Sequence, residues 1–547
     1  MRKKLLSILA LLCLTVTSAM ALDFAGQGTQ ELPYLITSIE DWNKLAEDVS
    51  SGNSYSGKYF QLTDNISVTN MVGGGGGSYV FSGIFDGDGH TITFNSANAT
   101  EQYIAPFRFI SDATIKNLKV AGSVSSNNRF AGGIVAYAKG TSTVTGCMNS
   151  TSITINGDIT NASNGGIVGM VGGNGNLTIT GCVFNGEMNN NPTSSSYNWC
   201  GILGLCNTSC TATISKCLFA PVAVVVDGDT KGNTIYRSTG VTTADNCYYT
   251  YSMSSSDQGN KVYTITGGEK VSVAFAGTPL SDATVGVIAY EKGIKCGDVL
   301  YVREGVAVSL NLNLSPGYDL ISYAASTGSL NGSANPYTLT MPAANVTITA
   351  TYTEKNLYDV TANLANGAYW ATFYSNVGNY KASSGTQVFA VTLTGTSIEM
   401  TEIPNRIALS GKGVVLKNTT TGSFTMTKTA TTPTGDFSGN SLQGTMTEIN
   451  TNGPNNYYVL NNKAAGIGFY KLSNTSGTIG ANKAYLTYGG GAGARESFLF
   501  GDATGIEMPT AEGSDADAVV YDLQGRPVAQ PTKGLYIVNG KKVFINK

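Results

Sequence analysis

The sequence has 547 residues, of which 13 % are charged, with a net charge of −3, 67 glycines and a single histidine. That length allows three or more domains at the usual ~100–200 residues each, and so low a charge content, about half the ordinary share, belongs to a neutral, hydrogen-bonding extracellular β-protein surface. The charge balance leaves no electrostatic footprint for nucleic acid or an acidic membrane, and one histidine argues against His-based triads and multi-His metal sites.

Residues 1–21 read as a secretory signal. Arg2-Lys3-Lys4 is the basic region, Leu5–Val16 the apolar core, and Ala19-Met20-Ala21 a cleavage site with its small residues at Ala19 and Ala21. The mature chain then begins at Leu22. The apolar run is too short to span a bilayer, and no later segment carries ~20 continuous apolar residues. Cys13 is preceded by Leu11-Leu12, where a lipidated cysteine needs a small residue.

A helix is expected over 38–49. Ser38 and Asp41 form a capping-box pattern, and Ile39, Trp42, Leu45, Ala46 and Val49 fall on one face. Strands follow, beginning with Tyr59–Ile66. After the loop Gly73–Gly77 comes Phe81-Ser82-Gly83-Ile84-Phe85-Asp86-Gly87-Asp88-Gly89-His90. Its Asp-Gly pairs are turn chemistry, in which Asp bonds local backbone and Gly supplies positive φ. Two carboxylates beside a histidine also suggest a calcium or acid–base site, but a third ligand or an oxyanion donor is missing from the spacing.

Between Arg129 and Ala220 one pattern is written three times. Gly132-Gly133-Ile134-Val135 precedes Val144-Thr145-Gly146-Cys147. Gly165-Gly166-Ile167-Val168 precedes Ile179-Thr180-Gly181-Cys182. Cys200-Gly201-Ile202-Leu203 precedes Ile214-Ser215-Lys216-Cys217. The cysteines are 35 residues apart, and a fixed period in this range predicts a solenoid, whose units bury their apolar faces only by stacking. Leu177 and Ile179 alternate with Thr178 and Thr180, so the units are strands. Leu118 stands in the cysteine slot one unit earlier, and Cys247 ends a last, diverged unit. Leu118, Cys147, Cys182, Cys217 and Cys247 are therefore expected to form one inward structural ladder, in slots that want a small buried hydrophobe.

These blocks resemble the GLUG-motif repeat of bacterial surface proteins over roughly 34–250. The resemblance implies an all-β fold: a right-handed parallel β-helix (solenoid) over 22–252, with the 38–49 helix capping its open N-terminal end. Cys200, Cys206 and Cys210 lie outside the ladder. Secretion permits disulfides, so buried thiols, one local disulfide, or a metal held with Cys217 all stay open.

A second module is expected over 260–355. Pro316-Gly317-Tyr318 and Asn335–Ala350 resemble the small all-β repeat modules of internalin-like surface proteins, which act as stalks. Residues 357–508 read as strands separated by Gly/Asn/Thr turns, hence a β-sandwich-like module. Trp370 and the tyrosines there suit either a half-buried sheet or sugar stacking. Residues 509–547 divide into the acidic linker Thr510–Asp517 and a hairpin with an Asn-Gly turn. Tyr521-Asp522-Leu523-Gln524-Gly525-Arg526 and Gly534-Leu535-Tyr536 resemble the C-terminal sorting domain of type IX secretion in Bacteroidetes. That resemblance implies delivery to the surface or outer membrane of a Gram-negative bacterium, with the secretion and sorting machinery as partners.

Three functions fit. The first is an adhesin-like, non-catalytic protein that binds an extracellular glycan or a host or bacterial surface protein along the β-helix, with no cofactor, no metal and no nucleic-acid partner. The second is a β-helix polysaccharide lyase or hydrolase, which needs clustered Asp/Glu with Lys or Arg on one flank. In the three clear repeats that flank is Thr, Asn, Ser and Gly. The third is a non-catalytic partner of a surface protease, since no H-E-x-x-H stands in this chain.

Overall fold

The computed structural model describes residues 24–96, 100–156, 163–191, 198–225, 232–253, 258–281, 283–395, 397–451, 456–473, 477–488, 496–500, 520–522, 526, 528, 531, 534–538 and 541–545. Strand makes up 54 % of the structure and helix 3 %, so the fold is all-β. No described helix is long and apolar enough to cross a membrane. Two compact units divide the chain: Met1–Asn313 with Tyr323–Ala350, and Leu314–Ser322 with Thr351–Lys547.

The first unit begins with helix α1, Ile39–Ser50. Ser38 is its N-cap: the hydroxyl accepts the Asp41 amide at 3.2 Å, while the Asp41 carboxylate accepts the Ser38 amide at 3.1 Å. Trp42, Leu45, Ala46 and Val49 are buried in the same core as the strands that follow. The Trp42 indole meets Phe85 and Phe107 edge-on and donates to the Asn70 carbonyl at 2.9 Å.

Successive passes of the chain then contribute strands to shared parallel sheets. The eight-stranded sheet runs through Tyr34–Ile36, Tyr59–Leu62, Ile84–Asp86, Thr114–Lys116, Thr141–Thr145, Asn176–Thr180, Thr211–Ser215 and Val241–Asp245. Its register puts Phe60, Phe85, Ile115, Val144, Ile179 and Ile214 in one buried column. Two further parallel sheets repeat this order with the Phe130–Gly132 and Val135–Lys139 series of strands, and an eleven-stranded sheet joins the later strands of each pass. Thr143 pairs with Thr178 and Thr178 with Thr213, a shift of 35 residues at each step. The sequence period is thus the pairing register of the sheets.

The paired glycines have a packing cause. A Cβ on Gly166 would lie 2.1 Å from the Gly201 carbonyl oxygen and 2.8 Å from the Phe184 ring. One on Gly133 would strike the Asn149 amide, and one on Gly201 the Phe219 ring. Asn149, Phe184 and Phe219 share one register column, so the second glycine of each repeat makes room for the bulky inward residue of its own pass.

Strands from residues 263–313 and 323–350 complete the first unit around a core that includes Ile265, Leu300, Leu310, Leu339 and Ile348. A separate cluster sets Val183 and Leu218, from the parallel sheets, against Val262, Val287, Ile294, Cys296 and Tyr301. The Val287 amide also donates to the Gly181 carbonyl at 3.0 Å.

The second unit is antiparallel throughout its larger sheets. The sequence suggests two sheets face to face, yet three stack here. The middle sheet contains Ala368–Phe373, Thr386–Thr394 and Val414–Asn418. Ala371, Phe373, Val414 and Leu416 enter one core, while Trp370 and Val415 enter another, shared with Tyr458, Phe469 and Leu486. A sheet buried on both faces needs a continuous apolar run, which Val414-Val415-Leu416 supplies. Near the C-terminus Val520–Tyr521, Gly534–Val538 and Lys541–Ile545 form a three-stranded antiparallel sheet.

Candidate binding face and thiol column

The outer side of the eight-stranded sheet is built by alternation. Each strand turns one set of residues inward, and the intervening set forms rows across the passes. One row is Thr114, Thr143, Thr178, Thr213 and Thr243. A second is Thr141, Asn176, Thr211 and Val241, and a third Lys116, Thr145, Thr180, Ser215 and Asp245. Parallel neighbours are ~4.8 Å apart, close enough for side chains in a row to bond. The Thr211 hydroxyl donates to the Asn176 side-chain oxygen at 3.0 Å, and the Ser215 hydroxyl donates to the Thr180 hydroxyl at 2.9 Å. From the Thr141 strand to the Thr211 strand the face carries hydroxyls and amides without a charge. Such a surface can hydrogen-bond a neutral, hydroxyl-rich partner but offers nothing to hold a proton for acid–base work.

Charge returns at the N-terminal end. Asp86 pairs with Lys116 at 2.9 Å and accepts from the Asp88 amide at 3.0 Å and the Asn117 side chain at 3.1 Å. Burial pushes its pKa up, but the Lys116 hydrogen bond, the two amide donors and the Lys116 charge outweigh this and hold it below the usual carboxylate range. Asp88 accepts from Gln61 at 2.9 Å. Asp88 and Gly89 take positive φ, 46° and 80°, and the His90 amide closes the turn on the Gly87 carbonyl at 2.8 Å. This geometry is that of a braced turn, with an ionised carboxylate tied to a lysine.

Leu118, Cys147, Cys182, Cys217 and Cys247 are all buried, none more than 1 % exposed. The residue before each is left-handed: Asn117, Gly146, Gly181, Lys216 and Asn246 have φ between 50° and 60° or close to it. Each thiol sits over the carbonyl two residues back and one from the preceding pass. Cys182 lies 3.4 Å from the Thr180 oxygen and 3.5 Å from that of Val144, and Cys217 lies 3.3 Å from Ser215 and 3.8 Å from Ile179. Burial pushes the Cys147 and Cys217 thiols well above the ordinary range. Cys200, Cys206, Cys210 and Cys296 are also buried free thiols, Cys200 being pushed up to about 12 by burial.

Of the C-terminal residues, Tyr521, Asp522, Arg526, Gly534, Leu535 and Tyr536 are described, whereas Leu523 and Gly525, like Ala19 and Ala21, lie outside the described residues. Asp522 accepts from the Arg526 amide and guanidinium at 2.9 and 2.8 Å. Gly534, Leu535 and Tyr536 occupy the central strand of the sheet, where Val520–Tyr521 pairs with Ile537 and Val538. Trp370 is buried; Lys417 lies over its ring at 5.1 Å, with Phe500 5.2 Å away.

The hydroxyl rows are the feature that strand-by-strand reading overlooks. Their signal is Thr143, Thr178 and Thr213 recurring at the same 35-residue spacing as the cysteines.

Residues 283–356 match the family model described as the divergent InlB B-repeat domain, overlapping the segment whose sequence resembles internalin-like modules. No curated protein matches the sequence. The solved structure of a candidate immunoglobulin A1 protease from Bacteroides ovatus aligns over 41 % of this chain and 77 % of its own, at 21 % identity and a TM-score of 0.30.

Proposed function

We propose that this is a secreted, surface-displayed, non-catalytic protein that binds an extracellular glycan or surface protein along the hydroxyl rows of its first unit, in the manner of an adhesin. The observation that carries this reading is the register of Thr143, Thr178 and Thr213 with their Asn and Ser neighbours, a flat, neutral, donor-and-acceptor surface repeated pass by pass. In this reading the parallel sheets are a GLUG-type right-handed β-helix, α1 covers its N-terminal end, and residues 260–355 act as stalk. The in-register parallel pairing supports the first point, the burial of Trp42 with the strand core the second, and the B-repeat match the third. The same match and the signal-like start favour an extracellular place, and residues 509–547 are read as the sorting segment.

A glycan array and a cell-binding assay with the full chain test the proposal. Thr178→Glu with Thr213→Glu puts two like charges side by side on the face without touching the core. Binding should fall at least tenfold, while the like-charge pair lowers the melting midpoint only slightly and leaves the transition cooperative. Turnover of a polysaccharide that vanishes in the Asp86→Ala, Asp88→Ala double variant would replace this reading with an enzymatic one.

A further inference from the structure

The second unit contains a cavity of about 180 Å³ between its middle and third sheets. Trp370 and Thr372 of strand Ala368–Phe373 line one side, and Leu460, Ile467 and Lys483 the other. Lys483 is the sole charged residue among the described lining residues. Among the described residues its ammonium has neither an ion pair nor a hydrogen bond, and burial lowers its pKa.

Two other polar groups of the wall are already bonded. The Trp370 N–H is given to the Ala365 carbonyl at 3.2 Å, and Thr372 accepts the Ala484 amide at 3.1 Å. Asn363 and Asn461 stand exposed at the rim. The Asn461 side-chain oxygen accepts the Asn462 amide at 2.8 Å, so its NH2 is free to donate among the described residues.

A partly desolvated ammonium without a counter-ion is less favourable than one in water, and an anion entering the cavity offsets that cost. One lysine matches one negative charge. A phosphate dianion is better held by a second cation or an arginine fork, and no charged residue besides Lys483 is present among the described lining residues. The apolar floor takes the body of a ring, and the rim amides take hydroxyls. The volume is below the roughly 300–1,000 Å³ of sites for drug-sized molecules, which restricts the occupant to a single small unit.

We propose that this cavity binds a hydroxylated monocarboxylate of the uronic-acid class, with Lys483 as the counter-ion of its carboxylate. The site is independent of the hydroxyl rows of the first unit.

Isothermal titration of the full-length protein with sodium glucuronate, and with glucose as the neutral analogue, tests this. Glucuronate should bind saturably and glucose at least tenfold more weakly. Lys483→Met keeps the aliphatic stem and removes the charge; it should abolish that preference with the melting profile unchanged or raised. Affinity of the wild-type protein should also fall as pH rises through the lowered lysine pKa, a readout that needs no variant. A uronate-terminated disaccharide distinguishes a free sugar acid from the end of a glycan: glucuronate alone binding marks the first, and both binding mark the second. Equal affinity for glucose and glucuronate, no saturable binding of either acid, or undiminished glucuronate binding by a folded Lys483→Met protein would overturn the proposal.

Discussion

Cys182 shows why a cysteine suits the repeat. Its slot is bounded by the left-handed Gly181, by the carbonyls of Thr180 and Val144, and by the neighbouring thiols. A small, weakly donating sulfur fills that space and leaves no polar group without a partner. Removing the sulfur in Cys182→Ala should cost about 1 kcal/mol in chemical unfolding, at the low end for a small core deletion. Cys182→Asp should prevent folding of the first unit, because a buried, unpaired carboxylate costs several times more. In the native wild-type protein Cys147, Cys182 and Cys217 should resist a thiol reagent until denaturant is added. Rapid labelling without denaturant would show that the column is open to solvent.

At the scale of the element, α1 is held at its start by a reciprocal cap and along its length by burial. Thr37 and Ser38 both donate to the Asp41 carboxylate. Burial pushes the Asp41 pKa up, but those hydrogen bonds prevail and leave it lowered. A depressed folded pKa gives stability that is present above the unfolded value of about 3.9 and is lost as pH falls through the lower, folded value. Ser38→Ala should therefore weaken the helix start at pH 7 by about 1 kcal/mol. Asp41→Asn should speed amide exchange across Ile39–Ser50 at pH 7, and its difference from wild type in urea stability should close as pH falls through the lowered, folded value. A difference that persists there would place the effect in packing. The glycine pairs act at this same scale, since Gly133, Gly166 and Gly201 admit the side chains that let neighbouring passes approach.

For the whole molecule, the proposed address predicts separable folding and delivery. Among the described residues, Val520–Tyr521, Gly534–Val538 and Lys541–Ile545 form a three-stranded sheet, with Gly534–Val538 bonded to the other two strands. Because the described strands of this sheet pair only with one another, removing it leaves the ladders of the other sheets intact. Deleting 519–547 should leave a protease-resistant protein that accumulates in the periplasm of the expressing bacterium. Normal surface abundance of the truncated protein, or its unfolding, would sink the sorting reading.

The period, the all-β class and the helix at 39–50 were legible in the sequence because each is a local rule: stacked units repeat their pattern, half-buried strands alternate, and a capping box precedes an apolar face. The inward slots of Leu118 and the cysteines follow from that same spacing. The association of Val183 and Leu218 with Val287 and Ile294 does not, because side chains from segments far apart in sequence meet there. Nor does the third sheet layer of the second unit. Val414-Val415-Leu416 is an apolar run in either case, and only the partner placed on its second face distinguishes a doubly buried strand. Lys483 is the clearest instance. In sequence it is an ordinary lysine opening the strand Lys483–Thr487. Trp370, Leu460 and Ile467, from other strands, line the same cavity, and the partial burial there lowers its pKa and suits it to the anion-binding role proposed above. Periodicity is set by bonds along the chain and between like neighbours, whereas a cavity is set by unlike segments that only the folded chain brings together.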